Sequence, residues 1–250
     1  MSIEALVFDV DGTLADTEEV HRRAFNLAFE ELGLDWRWER SEYRALLAVT
    51  GGKERLRAYI DGLASSASEK KRLHERVPEL HAAKTRHYTD IARQGGIELR
   101  PGVARLLDEA LGAGLRLAIA STTTAVNIDA LLLATLGPGG LSMFDVIACG
   151  DQVRAKKPAP DIYRLALDTM GVAPERAIAV EDSANGVRSA VAAGLWTVVT
   201  PTFWTEGGDF SGAGLVLPSL ADASLSVEEL TRRATAVPPT NAVQALYGGA

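Results

Sequence analysis

From about residue 98 onward, short apolar runs alternate with stretches of helical period. The runs are Leu115–Ala120, Phe144–Cys149, Ala177–Glu181 and Trp196–Thr200. They are rich in Val, Ile and Ala, a composition that suits strands buried on both faces of a parallel sheet. Between them Val103–Ala113, Ala125–Leu136, Pro160–Met170 and Ala184–Ala193 read as helices. Asp161 and Ser183 stand near the starts of two of these, and Gly171 and Gly194 just past the ends. Glu4–Asp9 continues the strand pattern at the N-terminus. Strand and helix repeated in this way predict an α/β fold with a doubly wound parallel sheet.

Residues 17–96 break the rhythm. Segments such as HRRAFNLAFEELG and SEKKRLHERVPELHAAKTRHYTDIARQGG are charged, helical in period and poor in strand character. They predict an all-helical insertion, with residues 1–16 and 97–250 forming a discontinuous core. Ala15–Asp16–Thr17 and Gly95–Gly96 are the expected hinges. The C-terminal VPPTNAVQALYGGA, punctuated by Pro and Gly, reads as a mobile tail or a docked strap.

Composition narrows the partners. With 47% hydrophobic residues over 250 positions, the chain buries a core without metal or disulfide staples. Its single cysteine, Cys149, excludes an internal disulfide and fits a reducing, cytoplasmic setting, where it is inert strand filler. No apolar run approaches the ~20 residues of a membrane span, and Glu4, Asp9 and Asp11 interrupt any leader-like start. A net charge of −7 argues against nucleic acid and leaves a small anionic substrate possible only where cations gather locally. A monomer is expected.

The first strand ends in an acid pair, LVFDVDGTLAD, with Asp9 and Asp11 two positions apart. Alternate residues of an extended chain point the same way, so both can face one target at the carboxyl edge of the sheet. A calcium loop does not fit, because Gly12 falls at its fourth position rather than its sixth. Later strand ends add Ser121 and three threonines beginning at Thr122, then Lys157, then the pair Glu181 and Asp182. Carboxylates, hydroxyls and one ammonium on a single edge point to phosphoryl transfer. Asp9 and Asp182, with Glu181 beside them, can hold a hard cation such as Mg²⁺. The cation and Lys157 let the Asp9 carboxylate attack phosphorus, Asp11 serves as acid and then base, and Ser121 binds a phosphate oxygen.

FDVDGTLADT, Ser121, Lys157–Pro158 and Val180–Glu181–Asp182–Ser183 resemble, in order, the four motifs of the haloacid dehalogenase superfamily. The resemblance covers essentially the whole chain. It implies a Rossmann-like core, Mg²⁺ dependence, an aspartyl-phosphate on Asp9 and a metal ligand from the Asp11 backbone carbonyl. It also implies that residues 17–96 are a mobile cap. The second acid, Asp11, is similar to that of the phosphatases and mutases rather than the dehalogenases and phosphonatases.

Within the cap, Trp36–Tyr59 and His81–Tyr88 resemble the CbbY branch, which hydrolyses xylulose 1,5-bisphosphate, an inhibitor of Rubisco. Thr50–Gly51–Gly52 ahead of a helix offers backbone N–H groups to an anion, with Lys53, Arg55 and Lys84 as added charge for a second phosphate. Glu18 and Tyr43 match positions that contact the sugar. His21 matches a histidine that orients catalysis in the related β-phosphoglucomutase, and Trp36 and Trp38 read as cap core. The expectation is a Mg²⁺-dependent phosphatase of a sugar bisphosphate. The rivals are a β-phosphoglucomutase-like mutase, a phosphoglycolate phosphatase, and a silent phosphosugar-binding protein, against which the intact Asp9, Asp11 and Lys157 count.

Overall fold

A computed structural model of the protein describes residues 2–222 and 225–236. The VPPTNAVQALYGGA tail lies outside them. Six parallel strands form one sheet: β1 (Ala5–Phe8), β2 (Arg116–Ala120), β3 (Val146–Ala148), β4 (Ala177–Glu181), β5 (Trp196–Val199) and β6 (Leu215–Val216), in the order β3-β2-β1-β4-β5-β6. The five strands expected from sequence are present with slightly shorter ends. The two-residue β6 was not expected, being too short to carry a pattern.

β1 is buried along its whole length, and its alternate side chains feed two separate cores. Leu6 and Phe8 join one cluster, packed with α5 (Val103–Gly112), α6 (Ala125–Leu136) and α9 (Val227–Ala236). Ala5 and Val7 join the other, packed with α7 (Asp161–Met170) and α8 (Ala184–Ala192). Covering both faces explains why the strands read as continuous apolar runs rather than alternating ones. The Ser183 hydroxyl accepts from Gly186 N at 3.1 Å and caps α8, as the start signal implied.

Residues 17–96 form α1 (Glu18–Glu31), α2 (Arg40–Leu46), α3 (Gly52–Gly62) and α4 (Ala67–Arg93). α1 and α4 make extensive contact, and a third core of Phe25, Phe29, Trp38, Tyr43, Leu56 and Leu80 fills this layer. Trp38 is fully buried there and Trp36 packs against it from the side. The chain leaves and re-enters the sheet layer side by side: Ala15 and Leu99 form an antiparallel bridge, and Arg100 N donates to Leu14 O at 2.8 Å.

Strand order reverses about β1, whose neighbours are β2 and β4. Ligands of open α/β sheets bind outside the carboxyl ends of strands at such a switch point. That edge lies beneath the helical layer.

Candidate active site

The ends of β1, β2 and β4, the loop after β3 and the inner face of the helical layer enclose one cavity. Asp9 follows β1 directly, and its N–H donates to Val180 O of β4 at 3.0 Å, which continues the strand pairing to the site. Lys157 Nζ donates to Asp9 Oδ1 and to Glu181 Oε1, both at 2.6 Å. The Tyr163 hydroxyl donates to the same Glu181 oxygen at 2.7 Å, while Glu181 Oε2 accepts from Asp182 N at 3.1 Å. Glu181 is fully buried, with its carboxylate engaged by Lys157, Tyr163 and the Asp182 N–H. Its carboxylate therefore fixes Lys157 from behind and does not form part of the cavity wall.

Asp182 does face the cavity, and Thr205 Oγ1 donates to its Oδ2 at 3.1 Å. Close against the same carboxylate stands Gly12, at φ +87°, where any Cβ would collide with Asp182. Glycine is required there for two reasons: the backbone is left-handed and the acid is too close.

Carboxylate oxygens of Asp9, Glu181 and Asp182 lie within 4.8 Å of one another, all buried. Burial pushes the Asp9 carboxyl well up against the pull of the Lys157 ammonium, and the charges of Glu181 and Asp11 add to the rise. Burial, then Glu181 and Asp9, push Asp182 well above the usual carboxylate range. Conversely, Asp9 and Glu181 hold the Lys157 ammonium above the usual lysine range, although burial opposes its charge. Three desolvated carboxylates facing one ammonium are short of positive charge. All of the donors are hard oxygens, so the cluster fits a small divalent cation.

Asp11 behaves oppositely. Burial acts to raise it, but the His21 ring, hydrogen bonds from His21 and Thr17, and the charge of Lys84 hold it well below the usual range. Thr17 Oγ1 donates to Asp11 Oδ1 at 2.6 Å, and His21 Nε2 lies 2.8 Å from the same oxygen. Lys84 Nζ lies 2.7 Å from His21 Nδ1. An ammonium can only donate, so His21 accepts at Nδ1 and donates its Nε2–H to Asp11. His21 also stacks on Tyr88 with ring centres 4.4 Å apart, which fixes its plane.

The remaining candidates divide. Ser121, Thr122, Glu18, Gly51, Gly52, Arg55 and Lys84 stand in the cavity wall. Gly51 caps α3 at φ +96°, and Gly52 is its first residue. Tyr43 and Lys53 stand outside the wall. Tyr43 is fully buried behind it, donating to Glu18 Oε2 at 2.8 Å and accepting from Arg55 Nη1 at 2.9 Å. Lys53 is half-buried and donates to Asp151 Oδ1 at 3.2 Å, joining α3 to the short turn after β3. Cys149 is a buried free thiol. Sequence reasoning did not single out Thr205, Asn127 and His81, all of which line the cavity, or Tyr163. Thr205 and Tyr163 carry no local motif, and only the fold brings them to the acids. Burial, with Lys84 and Lys53 nearby, pushes His81 down to about 3, so its ring is neutral.

A family model described as haloacid dehalogenase-like hydrolase matches residues 3–194. This chain belongs to the haloacid dehalogenase-like hydrolases. Within that family it is a phosphatase, similar to CbbY. Protein CbbY of Rhodobacter capsulatus is 50% identical over 231 residues, covering 92% of this chain and all of the relative. A CbbY variant from Rhodobacter sphaeroides, solved in complex with xylulose-(1,5)bisphosphate, is 50% identical with a TM-score of 0.82, covering 88% of this chain and 96% of that one. β-Phosphoglucomutase from Clostridium difficile, at 22% identity and TM-score 0.72 over 94% and 98% of the two chains, shares the fold. Among the described residues no helix is long and apolar enough to cross a membrane.

Proposed function

We propose that the enzyme is a Mg²⁺-dependent sugar-bisphosphate phosphatase acting on xylulose 1,5-bisphosphate through an aspartyl-phosphate on Asp9. The observation that carries the reading is the pairing of two unlike walls in one cavity. On one side are Asp9, Asp182 and Lys157, and on the other Arg55, Lys84 and the glycine-capped start of α3. One phosphoryl group can react on the first wall while a second is gripped by the other, which a monophosphate substrate would leave unused. The bisphosphate bound by the 50%-identical CbbY variant supports the same reading.

Asp9, Asp182 and the Asp11 carbonyl would hold a divalent cation, which would supply positive charge that offsets repulsion between Asp9 and the phosphate. Lys157, anchored by Glu181, lies against Asp9 and partly neutralises it, while Ser121 donates to a phosphate oxygen. The Asp9 carboxylate attacks phosphorus and the sugar oxygen leaves. Asp11 gives that oxygen its proton, which it draws along the chain from Lys84 through His21. Returned to its ionised form, Asp11 takes a proton from the water that cleaves the aspartyl-phosphate. Residues 17–96 act as the cap over residues 1–16 and 97–250, with Glu18 oriented toward the sugar by Tyr43. We place the enzyme in the cytoplasm, as a monomer, on its lone unpaired cysteine and acidic surface.

Phosphate release from a panel of sugar phosphates, with Mg²⁺ and with EDTA, tests the proposal. Xylulose 1,5-bisphosphate should give the highest kcat/KM, and EDTA should abolish it. Isomerisation of a hexose phosphate without phosphate release would identify a mutase. Faster release from phosphoglycolate than from any bisphosphate would refute the two-wall argument.

A further inference from the structure

One core residue lies on the wrong side of the layer boundary. Trp204 follows β5 in the chain, yet it is buried in the aromatic core of the helical layer, not in the cores of the sheet. Its ring meets Tyr43 of α2 edge-on, with centres 5.7 Å apart and planes at 88°. The residue after it, Thr205, donates to Asp182. Between Trp204 and Thr205 there is no slack. Thr202 N donates to Thr205 Oγ1 at 2.9 Å, Trp204 N to Thr202 Oγ1 at 3.1 Å, and Glu206 N to Thr202 O at 2.8 Å.

α2 grips this turn from its other end as well. Arg44 lies over the Phe203 ring, 5.2 Å from its centre, and its Nη2 donates to Glu206 O at 2.9 Å. The turn is thus fastened to α2 by two side chains and to Asp182 by one hydroxyl. Asp182 in turn is held at Oδ2 by that hydroxyl, with the Gly12 backbone close against the same carboxylate.

We infer that the Thr202–Thr205 turn couples the closed cap to the cation site: docking of Trp204 on α2 sets the Thr205 hydroxyl, which sets the Asp182 carboxylate. Trp204 and Thr205 are positioning residues and do not need to touch substrate. The inference rests on the phosphatase reading for the identity of the cation, and goes beyond it in assigning the coupling. Coupling of this kind is reciprocal. A cap held shut tightens Mg²⁺ binding, and bound Mg²⁺ slows opening of the contact between α2 and the turn.

Direct Mg²⁺ titration by calorimetry tests it, without substrate. Thr205→Val removes the hydroxyl at constant shape and should weaken Mg²⁺ about tenfold, the scale of one hydrogen bond to a charged group. Trp204→Ala, remote from the acids, should weaken it several-fold, and Trp204→Phe should restore most of the loss. Amide exchange of Arg40–Leu46 should slow when Mg²⁺ is added to wild type, and not in Thr205→Val. This last arm needs no tryptophan variant and stands even if Trp204→Ala fails to fold. Mg²⁺ affinity unchanged in Thr205→Val overturns the inference, as does a wild-type α2 whose exchange ignores bound Mg²⁺. A folded Trp204→Ala with wild-type affinity overturns it too. Absence of any Mg²⁺ binding to wild type would instead overturn the metal in the proposed function.

Discussion

Replacing Lys157 by Met removes the one ammonium that, among the described residues, touches the acidic cluster, while keeping most of its volume. The cost follows from the burial of its partners. Lys157 is 5% exposed, and Asp9, Glu181 and Asp182 are 7%, 0% and 2% exposed, so water cannot take its place. Removing one partner from a buried ion pair typically costs about 3–5 kcal/mol, because the other charge is left unpaired. For a chain of this size each kcal/mol lowers Tm by about 2–4 °C, which predicts a fall of roughly 6–20 °C at pH 8 in EDTA.

The pH dependence has a definite sign. Without Lys157 the folded-state pKa of Asp9, already raised by burial, rises further above the unfolded value near 4. Between the two values the folded state binds protons that the unfolded state does not, so stability climbs as pH falls. The variant's deficit should therefore be largest at pH 8 and shrink markedly by pH 5. Thermal unfolding followed by circular dichroism at both pH values, in EDTA, measures this. A fall of under 3 °C at pH 8, which is about 1 kcal/mol, or a deficit equal at both pH values, would refute Lys157 as the counter-charge of the cluster.

Four further outcomes follow from the same geometry. Asp11→Asn keeps the shape and the backbone carbonyl but cannot carry a proton, so turnover should fall by about 10²–10⁴ while calorimetric Mg²⁺ binding survives; near-normal turnover would remove Asp11 from the proton transfers. Lys84→Ala should raise KM for the bisphosphate at least tenfold more than KM for a small phosphate ester, with Lys53→Ala, whose partner is Asp151, doing less; equal effects on both substrates would mean the distal phosphate is held elsewhere. Because burial draws Lys84 down to about 8, it is charged below that pH and neutral above, so kcat/KM for the bisphosphate should fall above pH 8 relative to the ester, and a flat ratio to pH 9.5 would contradict the assignment. Gly12→Ala places a Cβ against Asp182 at φ +87° and should weaken Mg²⁺ at least tenfold; unchanged affinity would mean that Asp182 does not bind the cation.

What could be read from the sequence was whatever is encoded locally. The apolar runs gave five of the six strands, because a strand covered on both faces leaves a continuous hydrophobic signature. The acids, hydroxyls and Lys157 sit immediately after those runs, so topology alone brings them to one edge. Residues whose place depends on docking between layers were legible only in part: Glu18, Arg55 and Lys84 stand in the cavity wall, and others do not. Tyr43 was read as a sugar contact and Lys53 as part of the phosphate grip, yet Tyr43 lies behind Glu18 and Lys53 pairs with Asp151. Both distinctions depend on how α2 and α3 settle on the core, which no spacing records. Thr205 and Trp204 were invisible for the same reason, since nothing in PTFWTEG marks one residue for the cap and the next for Asp182.

The charge distribution explains why such a site is split between two layers. Asp9, Glu181 and Asp182 carry three negative charges against the single positive charge of Lys157, a deficit of two when all are ionised. A divalent cation would close that deficit and leave the core wall neutral. A phosphate dianion entering there adds two negative charges back, and the second phosphate of a bisphosphate adds more. Among the described residues the core has no further cation at the cavity with which to answer, because Lys156 is turned to the Gly150 and Val153 carbonyls and Arg100 to Gly12, Thr200 and Pro201. Lys84 and Arg55 come from the helical layer, so if that layer is the proposed cap the compensating charge would arrive only on its closure. A monophosphate brings less charge and gains less from closure. On the proposed function, preference for a bisphosphate would be a property of cap closure: the attraction of Lys84 and Arg55 for the substrate would strengthen with each added charge, while the cost of moving the cap would stay the same.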